Sequence, residues 1–142
     1  MRGLNKKGLD LLKSFEGCKL NAYLDVGGIP TIGWGHTGPE VVIGMTMTQP
    51  QADAQLEKDL EKFYILDHYL EEEVNENQYS ALVCLAYNIG LRAVRTSTLL
   101  KKINNGDDPS KEWLKWNYVG GKIIVGLTKR RKAELELYKK VG

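Results

Sequence analysis

Apolar residues recur at helical spacing along most of this chain, and the exceptions gather near the N-terminus. Leu4, Leu11, Leu12 and Phe15 fall on one face, with Gly8 beside them where a neighbour can pack closely, so a helix is predicted over residues 3–16. Gly17 stands where a left-handed residue ends a helix. From Lys19 the period drops to two. Leu20, Ala22 and Leu24 alternate against Lys19, Asn21, Tyr23 and Asp25, which reads as a strand. Val26-Gly27-Gly28 supplies a turn, and Ile29-Pro30-Thr31-Ile32 begins the return strand.

The helical period then returns. Thr48 is placed to cap a helix that repeats Ala52, Leu56, Leu60 and Phe63 on one face. Asn75 with Gln78 three residues on is a capping-box pattern opening a helix through Tyr79, Leu82, Val83 and Ala86, and Gly90 ends it. Leu99, Leu100 and Ile103 mark another helix, closed by Gly106. Asp108-Pro109 starts one carrying Trp113 and Trp116. Gly120-Gly121 marks a turn and Thr128 is read as the cap of the last helix. A small β-hairpin region beside a helical body is an α+β layout.

Composition narrows the class without naming it. The chain has 142 residues, 42% hydrophobic and 27% charged, as expected of one compact domain, with room for two lobes. A formal net charge of +2 is too small to imply a polyanion partner. The charge is unevenly spread: residues 51–76 hold nine acidic residues and two lysines, while residues 122–142 hold seven basic and two acidic ones. Solvated helix faces explain both runs, and attraction of the basic end to an anionic bacterial envelope is the functional alternative. No window approaches the roughly 20 apolar residues of a membrane span. The N-terminus lacks the apolar core and cleavage site of a secretory signal. Cys18 and Cys84 make no disulfide framework and are expected to be free thiols.

Candidate chemistry lies in the run EGCKLNAYLDVGGIPTIGWGHTG, residues 16–38. Taken singly, Glu16 is a helix-end glutamate and Asp25 a turn residue. Together they are two carboxyl groups in different settings, as acid-catalysed cleavage of a glycosidic bond requires: one proton donor for the leaving oxygen, one ionised group for water or the sugar cation. Glu16 is expected at the negative end of a helix dipole. Asp25 and Thr31 flank the same hairpin, close enough to share a water.

This run resembles the catalytic segment of the phage-type lysozymes, or endolysins, a glycoside hydrolase family. The family pattern is a Glu, eight residues, an Asp, five residues and a Thr, matched by Glu16, Asp25 and Thr31 with the surrounding TIGWGHTG tail. Residues 87–107 and 116–138 resemble the family's central and C-terminal segments. Leu91-Arg92-Ala93-Val94 departs from the Phe that many relatives carry there. The resemblance implies a mostly helical lysozyme-like fold with a small N-terminal β-hairpin region and an active-site cleft between two lobes, about 17–50 and 51–142 plus the first helix. It implies Glu16 as general acid, Asp25 as the carboxylate that positions or activates water, and Thr31 as its helper. Thr37, Tyr87 and Ser97 fall near substrate-binding positions, and one arginine of Arg130-Arg131 near Glu16. The activity implied is a muramidase cutting the β-1,4 bond between N-acetylmuramic acid and N-acetylglucosamine in peptidoglycan, with inversion, as a monomer with no cofactor or metal. Without a signal it would be made in the cytoplasm and reach the wall by holin-type release. A lytic transglycosylase using Glu16 alone and a non-catalytic peptidoglycan-binding module remain the rival classes.

Other patterns carry less. Gly33, Gly35 and Gly38 match a dinucleotide fingerprint with Asp59 downstream, yet Pro39 and a β-rich VVIGMTMT stretch follow instead of a helix. His68 with Glu71 or Glu72 lacks a second His for a metal site. His36 is read as a buried, hydrogen-bonded histidine, and Trp34, Trp113 and Trp116 mainly as packing residues. KRRK at 129–132 comes with no nucleic-acid reading motif.

Overall fold

A computed structural model describes residues 2–141. In chain order the elements are α1 (Lys6–Glu16), β1 (Lys19–Leu24), β2 (Pro30–Gly33), α2 (Gln49–Glu61), α3 (Leu66–Tyr69), α4 (Glu76–Ile89), α5 (Leu91–Arg95), α6 (Thr98–Asn104), α7 (Ser110–Leu114), β3 (Tyr118–Val119), β4 (Lys122–Ile123) and α8 (Val125–Lys139). They fall into two compact units, one of Leu12–Lys62 and one of the residues before and after it. The first unit is larger than the 17–50 lobe read from the sequence, because it takes in the end of α1 and the whole of α2.

In the Leu12–Lys62 unit, β1 and β2 pair antiparallel with Tyr23 opposite Thr31 and Leu24 opposite Pro30, and the register shifts between Lys19 and Tyr23. Only β2 is covered: Thr31, Ile32 and Gly33 are buried, with Ala52, Leu56 and Leu60 of α2 buried in the same unit. The apolar alternation of β1 therefore does not mark a buried face, and Leu24 is 57% exposed. The 41–48 stretch adds no strand. It gives one bridge, Asn21 to Thr46, flanked by Ala22 N–H donating to the Met45 carbonyl and Met47 N–H to that of Leu20. Thr48 and Gln51 form the full capping box at the start of α2.

The second unit is built on α4, whose residues 79–86 are all buried. A helix apolar all round belongs in a core. Asn75 and Gln78 cap it reciprocally, and Gly90 ends it at φ 98°. The first helix starts at Lys6, not residue 3, because the Asn5 side chain accepts from Gly8 N–H while Asn5 N–H donates to Ser80 Oγ. Gly8 packs tightly as its position suggested: a Cβ there would lie 2.7 Å from Ser80 Cβ. Trp113 of α7 is fully buried, its ring 5.2 Å from that of Tyr138. β3 and β4 form a second hairpin over Gly120 and Gly121, both at positive φ as a type I′ turn needs. Thr128 does not cap α8. The helix begins at Val125, and Thr128 Oγ1 donates back to the Ile124 carbonyl. Cys18 and Cys84 are both free thiols.

Candidate active site

α1 delivers Glu16 in its last turn, where Gly17 at φ 67° closes the helix by donating to the Lys13 carbonyl. Asp25 follows β1 and organises the turn beyond it. Its N–H donates to the Ile29 carbonyl at 3.0 Å, and its own carbonyl accepts from Gly28 N–H at 2.9 Å. Its side chain accepts from Gly27 N–H at 2.8 Å and Ile29 N–H at 2.9 Å, both through Oδ1. The bonds that make Asp25 a turn residue thus fix its carboxylate, and Oδ2 takes part in neither. Thr31 is buried on β2, and its hydroxyl donates to the Ile29 carbonyl at 2.9 Å.

Tyr23, which sequence reasoning left out of the site, ties these groups together. It faces Thr31 across the sheet and stands two residues before Asp25. Burial pushes its phenol up, and the negative charges of Glu16 and then Asp25 push it further. Both carboxylates therefore act on one phenol within one unit. The signal available in the sequence was the alternating run that sets Tyr23 two residues before Asp25.

Behind β2 the unit is tied by polar contacts to α2. The Trp34 indole donates to Asp53 at 2.8 Å, and Lys13 Nζ lies 5.1 Å from the Trp34 ring. That indole N–H first, and Gln49 second, hold the Asp53 carboxyl below its ordinary range. His36 bridges two carboxylates, with Nδ1 2.7 Å from Asp59 and Nε2 2.7 Å from Glu40. Asp59 is thus engaged by His36, and its other oxygen accepts from Gln55 at 2.9 Å. Thr37, next to His36, is exposed.

Tyr87 and Ser97 belong to the other unit. Tyr87 lies in the last turn of α4 with its ring 5.5 Å from Phe63. Ser97 is buried and caps α6, its hydroxyl accepting from Leu100 N–H and donating to the Val94 carbonyl. It also lines an open groove of about 400 Å³ with Glu112, Lys115 and Trp116. Arg130 and Arg131 converge on Glu134, which is fully buried and also accepts from the Trp113 indole at 3.2 Å. Burial pushes the Glu134 carboxyl up, and the two guanidiniums and the indole N–H pull it back. Glu134 was not singled out from the sequence, although its i+4 and i+3 spacing from the two arginines was there to be read. Among the described residues, no group of three or more His, Cys, Asp or Glu side chains could hold a metal ion.

The family profile described as phage lysozyme matches residues 13–134, a span containing Glu16, Asp25 and Thr31. The chain belongs to the phage lysozyme family. It is 42% identical over 142 residues to the endolysin of Acyrthosiphon pisum secondary endosymbiont phage 1, covering 95% of this chain and 97% of that one. It is 39% identical over 143 residues to the endolysin of Bacillus phage B103, of which it spans only 53%. Among solved structures, it resembles an endolysin from Escherichia coli phage FAHEc1 with a TM-score of 0.88 at 38% identity, covering 98% of this chain and 94% of that one. It also resembles the muramidase domain of SpmX from Asticaccaulis excentricus, with a TM-score of 0.90 at 28% identity over 99% and 100% of the two chains. The phage lysozyme fold accommodates the Leu91-Arg92-Ala93-Val94 departure as part of α5, with Val94 fully buried.

Proposed function

We propose that this chain is a muramidase that hydrolyses the β-1,4 bond between N-acetylmuramic acid and N-acetylglucosamine in peptidoglycan. Glu16 donates the proton to the leaving oxygen. Asp25 and Thr31 hold the water that attacks the anomeric carbon from the opposite face, giving inversion. The observation that carries this reading is the hydrogen bonding of Asp25 and Thr31. The Thr31 hydroxyl spends its proton on the Ile29 carbonyl, so towards a water it is an acceptor. Asp25 has Oδ1 committed to two backbone N–H groups, which makes Oδ2 the oxygen to accept from a water. A water donating one hydrogen to each keeps its lone pair for the sugar. The carboxylate then takes the proton that water must lose.

Purified protein incubated with peptidoglycan should release muropeptides ending in reducing N-acetylmuramic acid, identified by mass spectrometry. Products lacking one water, with an anhydro ring, would instead mark a transglycosylase. Glu16→Gln keeps the shape of the side chain and removes the acid, and general acid catalysis contributes about 10²–10⁴-fold. Turnover by a folded Glu16→Gln variant should fall by about that much, and wild-type release of reducing ends by it would sink the assignment.

A further inference from the structure

Among the described residues, 118–126 form the one stretch of nine consecutive exposed residues, and large apolar side chains dominate it. Tyr118 is 56% exposed, Ile123 59% and Val125 69%, with Val119 and Ile124 also exposed. The hairpin is a built element and not a loose loop. Its turn is closed by two glycines at positive φ, Tyr118 pairs with Ile123 and Val119 with Lys122, and Ile124 N–H extends the ladder to the Asn117 carbonyl. Its apolar side chains are thus exposed on a hydrogen-bonded base.

The charges along this stretch of the sequence have one sign. No Asp or Glu occurs from Lys115 to Ala133, while Lys122, Lys129 and Lys132 are exposed. The apolar tip of the other hairpin, with Leu24, Val26 and Ile29, differs in having the Asp25 carboxylate in its turn. Aliphatic side chains flanked only by lysines suit neither a sugar, which asks for polar partners and flat aromatic faces, nor a second copy, which would set lysine against lysine across a two-fold axis. They suit a surface that is apolar below and anionic above.

We propose that the 118–126 hairpin docks on the headgroup region of an anionic lipid bilayer. Ile123, Ile124 and Val125 enter the acyl boundary, Tyr118 sits at headgroup depth, and Lys122, Lys129 and Lys132 meet the phosphates. This is interfacial contact without a span, as none of the described helices is long and apolar enough to cross a membrane. The docking does not depend on the muramidase reading, and its readout is separate from glycan cleavage.

The test is co-sedimentation of the full chain with vesicles of phosphatidylglycerol and phosphatidylcholine in equal parts, and with phosphatidylcholine alone. Wild-type protein should bind the anionic vesicles more tightly, with affinity falling as salt is raised. The double variant Ile123→Ser/Val125→Ser, which removes two exposed apolar side chains, should bind about tenfold or more weakly because less apolar area is transferred. Lys122→Glu should weaken binding to the anionic vesicles and leave binding to the neutral ones unchanged. Both variants should keep the wild-type circular dichroism spectrum and wild-type release of soluble muropeptides. No wild-type binding to either vesicle, or equal binding by the variants, overturns the proposal. So does a double variant that loses glycan cleavage but keeps vesicle binding, or a wild-type dimer in sedimentation that the double variant abolishes.

Discussion

The two hairpins are written around the same three residues, Val26-Gly27-Gly28 and Val119-Gly120-Gly121, yet they are different turns. In the second, both glycines adopt positive φ, 58° and 79°, and two residues connect paired strands. In the first, only Gly28 does, at 77°, and the loop runs from Asp25 to Ile29 around the Asp25 side chain. One carboxylate at the start of the turn replaces backbone geometry as the organising element. The same atom that closes the loop positions a reactive group, so the first hairpin carries candidate chemistry. The second is closed by glycine conformation alone, and that leaves its side chains free for a surface.

The largest test of this contrast is at Asp25. Asp25→Asn keeps an oxygen that can accept from Gly27 N–H and Ile29 N–H, and removes the charge. It should fold as the wild type and lose about 10²–10⁴-fold in turnover on peptidoglycan. Asp25→Ala should lose the same activity and, in addition, about 1 kcal/mol of stability in urea denaturation from the two lost hydrogen bonds. An active Asp25→Asn would mean that Asp25 serves only the turn, and would favour transglycosylase chemistry.

The second hairpin depends on its root. Arg131 Nη1 donates to the Trp116 carbonyl and Asn117 Nδ2 to Thr128 Oγ1, while Arg131 is itself held by Glu134. Glu134→Ala leaves two buried guanidiniums without their carboxylate, a change that costs about 3–5 kcal/mol. Denaturation should report that loss. Hydrogen exchange should show the Ile124 N–H bond to Asn117 opening sooner, with the Asp25 turn unaffected.

How much of this could be read beforehand follows the range of the interaction. The Thr48–Gln51 and Asn75–Gln78 capping boxes are complete within four residues, and the structure has both. Glycines that end helices, at 17 and 90, are equally local. Thr128 looked like a cap, but α8 begins three residues earlier as a continuation of the β3–β4 ladder, which no local pattern encodes. The helices α3 and α5, of four and five residues, are too short to show a period. The alternation in β1 was real, yet a two-stranded sheet covered only at β2 gave its leucines nothing to bury against. In the candidate site, spacing and resemblance single out Glu16, Asp25 and Thr31, and all three lie in the Leu12–Lys62 unit. Tyr23 owes its setting to groups from other elements, and Glu134 adds burial and the Trp113 indole of α7 to the two arginines of its own helix, so both settings are complete only once the chain has folded.

The glycine pairs offer a smaller and cleaner test. Gly27 is not at positive φ, and a Cβ there would meet only Asp25 Oδ1, at 3.4 Å. Gly27→Ala should change stability by no more than about 0.5 kcal/mol. Gly120 at φ 58° has open space around it, so Gly120→Ala costs only the left-handed backbone, about 1 kcal/mol. The same substitution at the same place in the same tripeptide should therefore be silent in one hairpin and measurable in the other. Equal effects would mean that the two turns share one conformation.

The smallest effect is at Tyr23, and it asks whether the two carboxylates converge. An alkaline titration followed by phenolate absorbance should place Tyr23 above the ordinary tyrosine value of about 10. Glu16→Gln and Asp25→Asn should each lower it, and the pair should lower it more. The doubly neutral variant should still titrate above the ordinary value, because burial is the largest cause. The sign for stability follows from the folded phenol keeping its proton longer than the unfolded one. Its contribution is intact below about pH 10 and is lost as pH rises through the folded value. The alkaline loss should therefore shrink in the doubly neutral variant, and a Tyr23→Phe chain should show none of it. A Tyr23 titration that responds to Asp25→Asn but not to Glu16→Gln would leave the general acid without its place beside the first hairpin. That hairpin would then be a turn closed by a carboxylate, no nearer to catalysis than the second.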